Sequence, residues 1–384
     1  MESDREPLLR GAVPALRVRG RLALWLLLAV ALLTATALNW SPTTTTASRL
    51  HALEGEIDKL RREWAVRGVS VAIVRRDEVL LARGFGERNE RGEPVSADTI
   101  FGIASMTKAF TSLLVGQLVE QGKLSWTTPV TTLSPTTFLD PIAVSQATLI
   151  DILSHQTGLP RHDALFTFCN TAQDALTRIR GLEPTAPFRS KWQYNNWMYE
   201  LAGDIVRNVT GSRDWAEALE AGILRPLNMT STVGRIRELQ LAPDHARSFD
   251  EEGNLLPLEE HLPMEACGAM STSANDVTKW LRALLGRGTL SGTRLVSDTT
   301  FEQLTRPHKT KDVPRSEGSG YESYGLGWEI VNYRGHHSVW HGGSRKGYQN
   351  VLRFFPDDDL AFVVMTSSPN TALVRILDEV IAER

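Results

Sequence analysis

The chain has 384 residues, 42% hydrophobic and 23% charged, with 42 Lys and Arg against 45 Asp and Glu for a net charge of -3. That length can bury a large core, as one big domain or two intertwined ones. The charge balance gives no footing for nucleic acid as a partner, and there is no repeat of solenoid period and no long low-complexity tract.

Residues 1–21 are polar and carry Arg10, Arg17, Arg19 and Arg21; residues 22–40 then run without a charge and are rich in Leu and Ala. About 20 apolar residues suffice to cross a bilayer as a helix. With the arginines on the N-terminal side, 22–40 is expected to be a transmembrane signal anchor, 1–21 a cytosolic tail, and the whole a single-pass type II membrane protein. The alternative is a cleaved signal peptide and a secreted product, because Ala35-Thr36-Ala37 fits a small-residue cleavage site. Both readings place the remainder in a lumen or outside the cell. Asn208-Val209-Thr210 and Asn228-Met229-Thr230 then become glycosylation acceptors at Asn208 and Asn228. Cys169 and Cys267 can pair as a disulfide in such a compartment, though a small buried thiol serves Cys267 equally well among its Gly and Ala neighbours.

Residues 41–48 read as a Thr-rich stalk, which leaves 49–384 as the main domain. Leu50, Leu53, Ile57, Leu60 and Trp64 mark an amphipathic helix to about Arg67. Residues 70–73 and 79–84 read as strands around Arg75-Arg76-Asp77. The segment from about 101 to 290 is mainly helical, with helices at 196–208, 214–224 and 273–285. Strands return at 327–331, 349–355 and 360–366, the last two joined by Pro356-Asp357-Asp358-Asp359, whose aspartates suit a hairpin turn better than a calcium site. A helix at 372–382 closes the chain. Strands at both ends with helices between them imply an α/β chain of the α+β type. Its antiparallel sheet is built from both termini, flanked by helices, with a mainly helical subdomain inserted.

The chemistry centres on Ser105-Met106-Thr107-Lys108. Ser105 opens a run whose apolar residues Phe110, Leu113, Leu114 and Leu118 follow helical spacing, so hydroxyl and amine lie one turn apart on one face. A serine becomes a nucleophile when a neighbouring base takes its proton, and a lysine is that base only where burial keeps its amine neutral. Downstream lie Tyr194-Asn195-Asn196, in a polar loop, and His341-Gly342-Gly343-Ser344, after the apolar Val339-Trp340.

Ser-x-x-Lys, then Tyr-x-Asn, then a basic residue-x-Gly on a strand, in that order and with these spacings, resemble the serine β-lactamase and penicillin-binding-protein superfamily. The branch it most resembles is that of the class C β-lactamase-related esterases and D-aminopeptidase-like hydrolases. Leu118-Val119-Glu120-Gln121-Gly122, Ile152-Leu153-Ser154-His155-Gln156-Thr157-Gly158-Leu159-Pro160, Pro226-Leu227-Asn228-Met229 and Ser271-Thr272-Ser273-Ala274-Asn275-Asp276 extend the resemblance over about 70–366. It implies Ser105 as nucleophile, Lys108 as base and Tyr194 as proton relay, its phenol pKa lowered by the ammonium. It also implies that the Asn196 amide meets the substrate, and that the backbone N–H groups of Ser105 and Ser344 form an oxyanion hole beside Gly342 and Gly343. His341 is a departure: β-lactam-destroying members usually carry lysine there, and a histidine is charged only part of the time near neutral pH.

No cofactor or metal is expected, since His-Glu-x-x-His and paired Cys-x-x-Cys are missing, and Gly-x-Ser-x-Gly is missing as well. The reading is a serine hydrolase that forms an acyl-enzyme on Ser105 and acts on a small-molecule ester, amide or acyl substrate. An acyltransferase of secondary metabolism using the same acyl-enzyme and a non-catalytic scaffold are the alternatives.

Overall fold

The computed structural model describes residues 46–257, 263–312 and 321–383. The chain divides into a unit Met1–Ala52 and a unit Leu53–Arg384, and the sheet and the site belong to the second. No helix among the described residues is long and apolar enough to cross a membrane. This corrects the expected transmembrane anchor, the membrane partner and the type II placement drawn from it. The stretch 22–40 that carried them lies outside the described residues, as do the tail 1–21 and most of the 41–48 stalk.

The first helix, Thr46–Glu63, buries Leu53 and Ile57, one turn apart. It stops short of the expected Arg67: Arg61 and Arg62 occupy its last turn, where cations meet the negative end of the helix dipole, and Ala65 turns left-handed at φ +51°. Strands Gly68–Arg75 and Glu78–Gly86 then form a hairpin across Arg76-Asp77, with Arg76 at φ +54°.

Eight strands make one antiparallel sheet. From one edge the order is Glu78–Gly86, Gly68–Arg75, Leu360–Thr366, Tyr348–Phe355, His336–Arg345, Glu329–Tyr333, Ser323–Tyr324 and Lys309–Thr310. The N-terminal hairpin thus lies against the last strand, Val71 facing Val364 and Ala72 facing Val363. Phe355 pairs with Leu360 across the aspartate turn, in which Asp359 is left-handed at φ +54°.

Strand periodicity divides the apolar residues between two cores. Val69, Val71, Ile73, Val351, Phe362 and Val364 face the helices, packing with Leu53 and Ile57 and with Leu373 and Leu377 of the closing helix Thr371–Ala382. Ala72, Val74, Leu352, Phe354, Val363 and Met365 face the other way, into the larger core with Phe110, Leu113 and Leu114. That core belongs to the inserted helical segment, whose main helices are Thr107–Glu120, Trp197–Thr210 and Ala274–Leu285. The site forms where this segment meets the His336–Arg345 strand.

Candidate active site

Ser105 sits in a tight turn, Ala104–Met106, that leads into the helix Thr107–Glu120. The turn is held on both sides. Upstream, Phe101–Gly102 pairs with Ser271–Thr272 and the Ile103 N–H donates to the Met270 carbonyl at 2.9 Å. Ala104 is left-handed at φ +48°, a conformation costing a residue with a Cβ about 1–2 kcal/mol. Thr107 secures it: its hydroxyl donates to the Ala104 carbonyl at 2.6 Å and accepts from the Met270 N–H at 3.2 Å.

Lys108, fully buried, points its amine at three acceptors. They are Ser105 Oγ at 3.1 Å, Asn196 Oδ1 at 2.7 Å and the Cys267 carbonyl at 2.8 Å. Burial pulls its pKa from 10.5 down to about 8, against the opposing pull of Cys267 and Glu200. Near neutral pH a usable fraction of the amine is therefore unprotonated, as a base for Ser105 requires.

Tyr194 arrives from its loop with its ring centroid 4.9 Å from Lys108 Nζ and 4.4 Å from the ring of His155. Its acidity is the reverse of the expectation. Burial pushes the phenol well above its ordinary range, outweighing the hydrogen bond with Ser105 that pulls it down. Burial disfavours the phenolate, so Tyr194 stays a neutral phenol.

Asn196 bridges two side chains of the site. Its oxygen accepts from Lys108 and its Nδ2 donates to Asp163 Oδ1 at 2.9 Å, so both ends of the amide are held within the protein. His341 joins the site but carries no charge. Nδ1 donates to the Gly342 carbonyl at 2.6 Å and Nε2 accepts from the Tyr324 hydroxyl at 2.9 Å; burial and Lys108 depress its pKa to about 3. The partly charged histidine expected from the sequence is a neutral imidazole, because burial and the neighbouring Lys108 disfavour the imidazolium.

Gly343 sets how closely the strand approaches the serine turn. A Cβ on Gly343 would stand 2.1 Å from the Ile103 carbonyl oxygen, so only glycine lets the two backbones meet. Asn350 ties the same junction, donating to the Gly102 carbonyl at 3.0 Å and the Gly343 carbonyl at 3.3 Å. Ser344 follows on this strand with its side chain exposed.

Four residues of the site escaped the sequence reading. Asp163 grips Asn196. Glu200 accepts from the N–H groups of Glu265, Ala266 and Cys267 at 3.1, 3.4 and 2.9 Å, holding the short helix whose Cys267 carbonyl meets Lys108. Burial raises the Glu200 carboxyl to about 7. His155 and Tyr324 complete an aromatic wall, with ring centroids 4.7 Å apart. His155 stood within a matching segment, which was the available signal; the other three had none.

The remaining expectations fall outside the cluster. The disulfide does not form: Cys169 and Cys267 are both free and buried. Cys169 ends the turn Asp163–Phe168 with its thiol toward the Leu165 carbonyl, whereas Cys267 lies inside the helix Glu265–Gly268. Asn208 and Asn228 are exposed, Asn208 donating to Asp204 Oδ2 at 3.1 Å. Among the described residues no group of His, Cys, Asp and Glu is arranged to hold a metal ion. A cavity of about 400 Å³ lined by Arg61, Arg67, Glu87 and Phe249 contains none of the site residues.

Comparison with known proteins bears on the family and the fold. The chain is 28% identical over 328 residues to an unguisins hydrolase of Aspergillus campestris, covering 80% of this chain and 59% of the relative. A second unguisins hydrolase, of Aspergillus violaceofuscus, is 28% identical over 349 residues, covering 83% of this chain and 61% of the relative. The chain thus spans about three-fifths of the length of these curated relatives. Among solved structures, the octameric penicillin-binding protein homologue from Pyrococcus abyssi superposes with a TM-score of 0.76 at 27% identity, over 87% of this chain and 78% of that one. A D-amino acid amidase from Ochrobactrum anthropi shares the fold, with a TM-score of 0.70 at 22% identity over 86% of this chain and 96% of that one. The Beta-lactamase family model matches residues 53–384, and the chain belongs to the beta-lactamase family.

Proposed function

We propose that the chain is a serine hydrolase that forms an acyl-enzyme on Ser105 and acts on an ester or a small amide or peptide. The observation that carries this reading is the 3.1 Å contact between Ser105 Oγ and a buried lysine whose pKa is lowered to about 8. The neutral Lys108 amine takes the Ser105 proton as Oγ attacks the substrate carbonyl, and the new C–O bond turns the carbonyl oxygen into an oxyanion. Backbone N–H groups of Ser105 and Ser344 are the donors assigned to that oxyanion; one such donor is typically worth about 10²- to 10³-fold in rate. The Tyr194 phenol, protonated at any working pH, passes a proton toward the leaving amine or alcohol and is reprotonated from Lys108. Water then attacks the acyl-enzyme with Lys108 again as base, releasing the acid and restoring Ser105. The relatives named as unguisins hydrolases support amide bonds as the first substrates to test.

The test is turnover of a panel of chromogenic short-chain esters and amino-acid or peptide anilides by the wild-type chain and by Ser105→Ala. Turnover by the wild type that vanishes in the variant is expected. Turnover of equal size in both would overturn the reading.

A further inference from the structure

A line of hydrogen bonds runs from the surface to the nucleophile. Arg161, well exposed, donates from Nε to Asp163 Oδ2 at 2.7 Å. Asp163 Oδ1 accepts from Asn196 Nδ2 at 2.9 Å, Asn196 Oδ1 accepts from Lys108 Nζ at 2.7 Å, and Lys108 donates to Ser105 at 3.1 Å. The same guanidinium lies 4.7 Å from the centroid of the Tyr194 ring.

An amide has two unlike ends, and a lysine can donate only to one of them. Were the Asn196 amide reversed, its NH₂ would face the Lys108 donor and its oxygen would face the Asp163 carboxylate, two repulsive pairs in a buried setting. Asp163 therefore decides which end Lys108 meets. Asp163 is itself placed by His162, left-handed at φ +50°, which starts the turn Asp163–Phe168.

We propose that Asp163 is the positioning residue of the Ser105–Lys108 pair, orienting the Asn196 amide toward Lys108, and that the charges of Asp163 and Arg161 tune that amine with opposite sign. The proposal rests on Ser105 acting as nucleophile with Lys108 as base. Asp163 lies among the groups that favour the ammonium and Arg161 among those that oppose it. Glu200 and Cys267, His155 and His341, and Tyr194 and Tyr199 also surround Lys108, and the substitutions below leave all of them in place.

The experiment follows the rate of fluorophosphonate labelling against pH for the wild type, Asp163→Asn, Asp163→Ala and Arg161→Met, with near-UV circular dichroism as the folding check. Asp163→Asn keeps the shape and an acceptor oxygen; its midpoint is expected to fall by about one pH unit, with a plateau within about 3-fold of the wild type. Asp163→Ala frees the amide, and its plateau is expected to drop by about 10- to 100-fold. Arg161→Met, a surface change, is expected to move the midpoint upward. Midpoints that coincide in all four proteins, or shifts of the same sign for Asp163→Asn and Arg161→Met, would overturn the proposal while leaving the nucleophile intact. Failure of the wild type itself to label would instead remove the reading on which it rests.

Discussion

Lys108 Nζ lies 3.1 Å from Ser105 Oγ while Asn196 and Cys267 take its other two donor directions. As ammonium, the group spends all three protons on these acceptors. As a neutral amine it keeps two and turns a lone pair to the serine. Because burial lowers its pKa from 10.5 to about 8, kcat/KM is expected to rise as pH rises through about 8 and then level off. The same shift bears on stability with a definite sign. The folded chain binds fewer protons at this group than the unfolded chain between about 8 and 10.5, so its contribution to stability rises with pH across that window. Urea midpoints of the wild type and Lys108→Met at pH 7 and 10 check this, the wild type gaining on the variant at the higher pH.

Tyr194→Phe retains the ring that packs on His155 and faces Lys108 and removes only the hydroxyl. A loss of about 10²- to 10⁴-fold in kcat is expected with little change in thermal midpoint. Because the phenol is pushed above its ordinary range, the wild type is expected to show no alkaline limb from Tyr194 below pH 10. Steady-state kinetics from pH 6 to 10 measures both.

Gly343→Ala drives a methyl to within 2.1 Å of the Ile103 carbonyl oxygen, a backbone atom that cannot swing aside as the end of a side chain can. The strand must withdraw from the serine turn, which also breaks the Asn350 tie between Gly102 and Gly343. Destabilisation of about 1–3 kcal/mol by urea titration is expected, together with a fall in kcat larger than that stability loss explains.

His341→Lys tests the neutral imidazole. The position is buried, satisfied on one nitrogen by Gly342 and on the other by Tyr324, and already near Lys108 and Lys311. An ammonium there is expected to lower the thermal midpoint and to move the acid limb of activity further down, since a second cation disfavours the Lys108 ammonium. A midpoint equal to the wild type would contradict this account of the pocket.

Much of this arrangement is legible in the residues themselves. Helical spacing of Phe110, Leu113 and Leu114 locates the site helix, and runs such as 349–355 and 360–366 locate central strands because both sheet faces are covered. The three motifs that meet at Ser105 are visible because each demands unusual residue types. Electrostatic state is not legible, because it depends on burial that spacing does not report: Tyr194 rises where a nearby cation suggested a fall, and His341 loses its charge. The left-handed Ala104 leaves no mark either, since alanine gives no warning of positive φ. Asp163 is silent for a related reason, its partner Asn196 being 33 positions away along the chain.

The measurement that bears most directly on the central claim is peptide mapping by mass spectrometry after fluorophosphonate treatment, run at pH 6 and pH 9. A single adduct is expected on the peptide containing Ser105, more abundant at pH 9 and missing in both Ser105→Ala and Lys108→Ala. An adduct on another residue, or one on Ser105 that forms equally fast without Lys108, would contradict it.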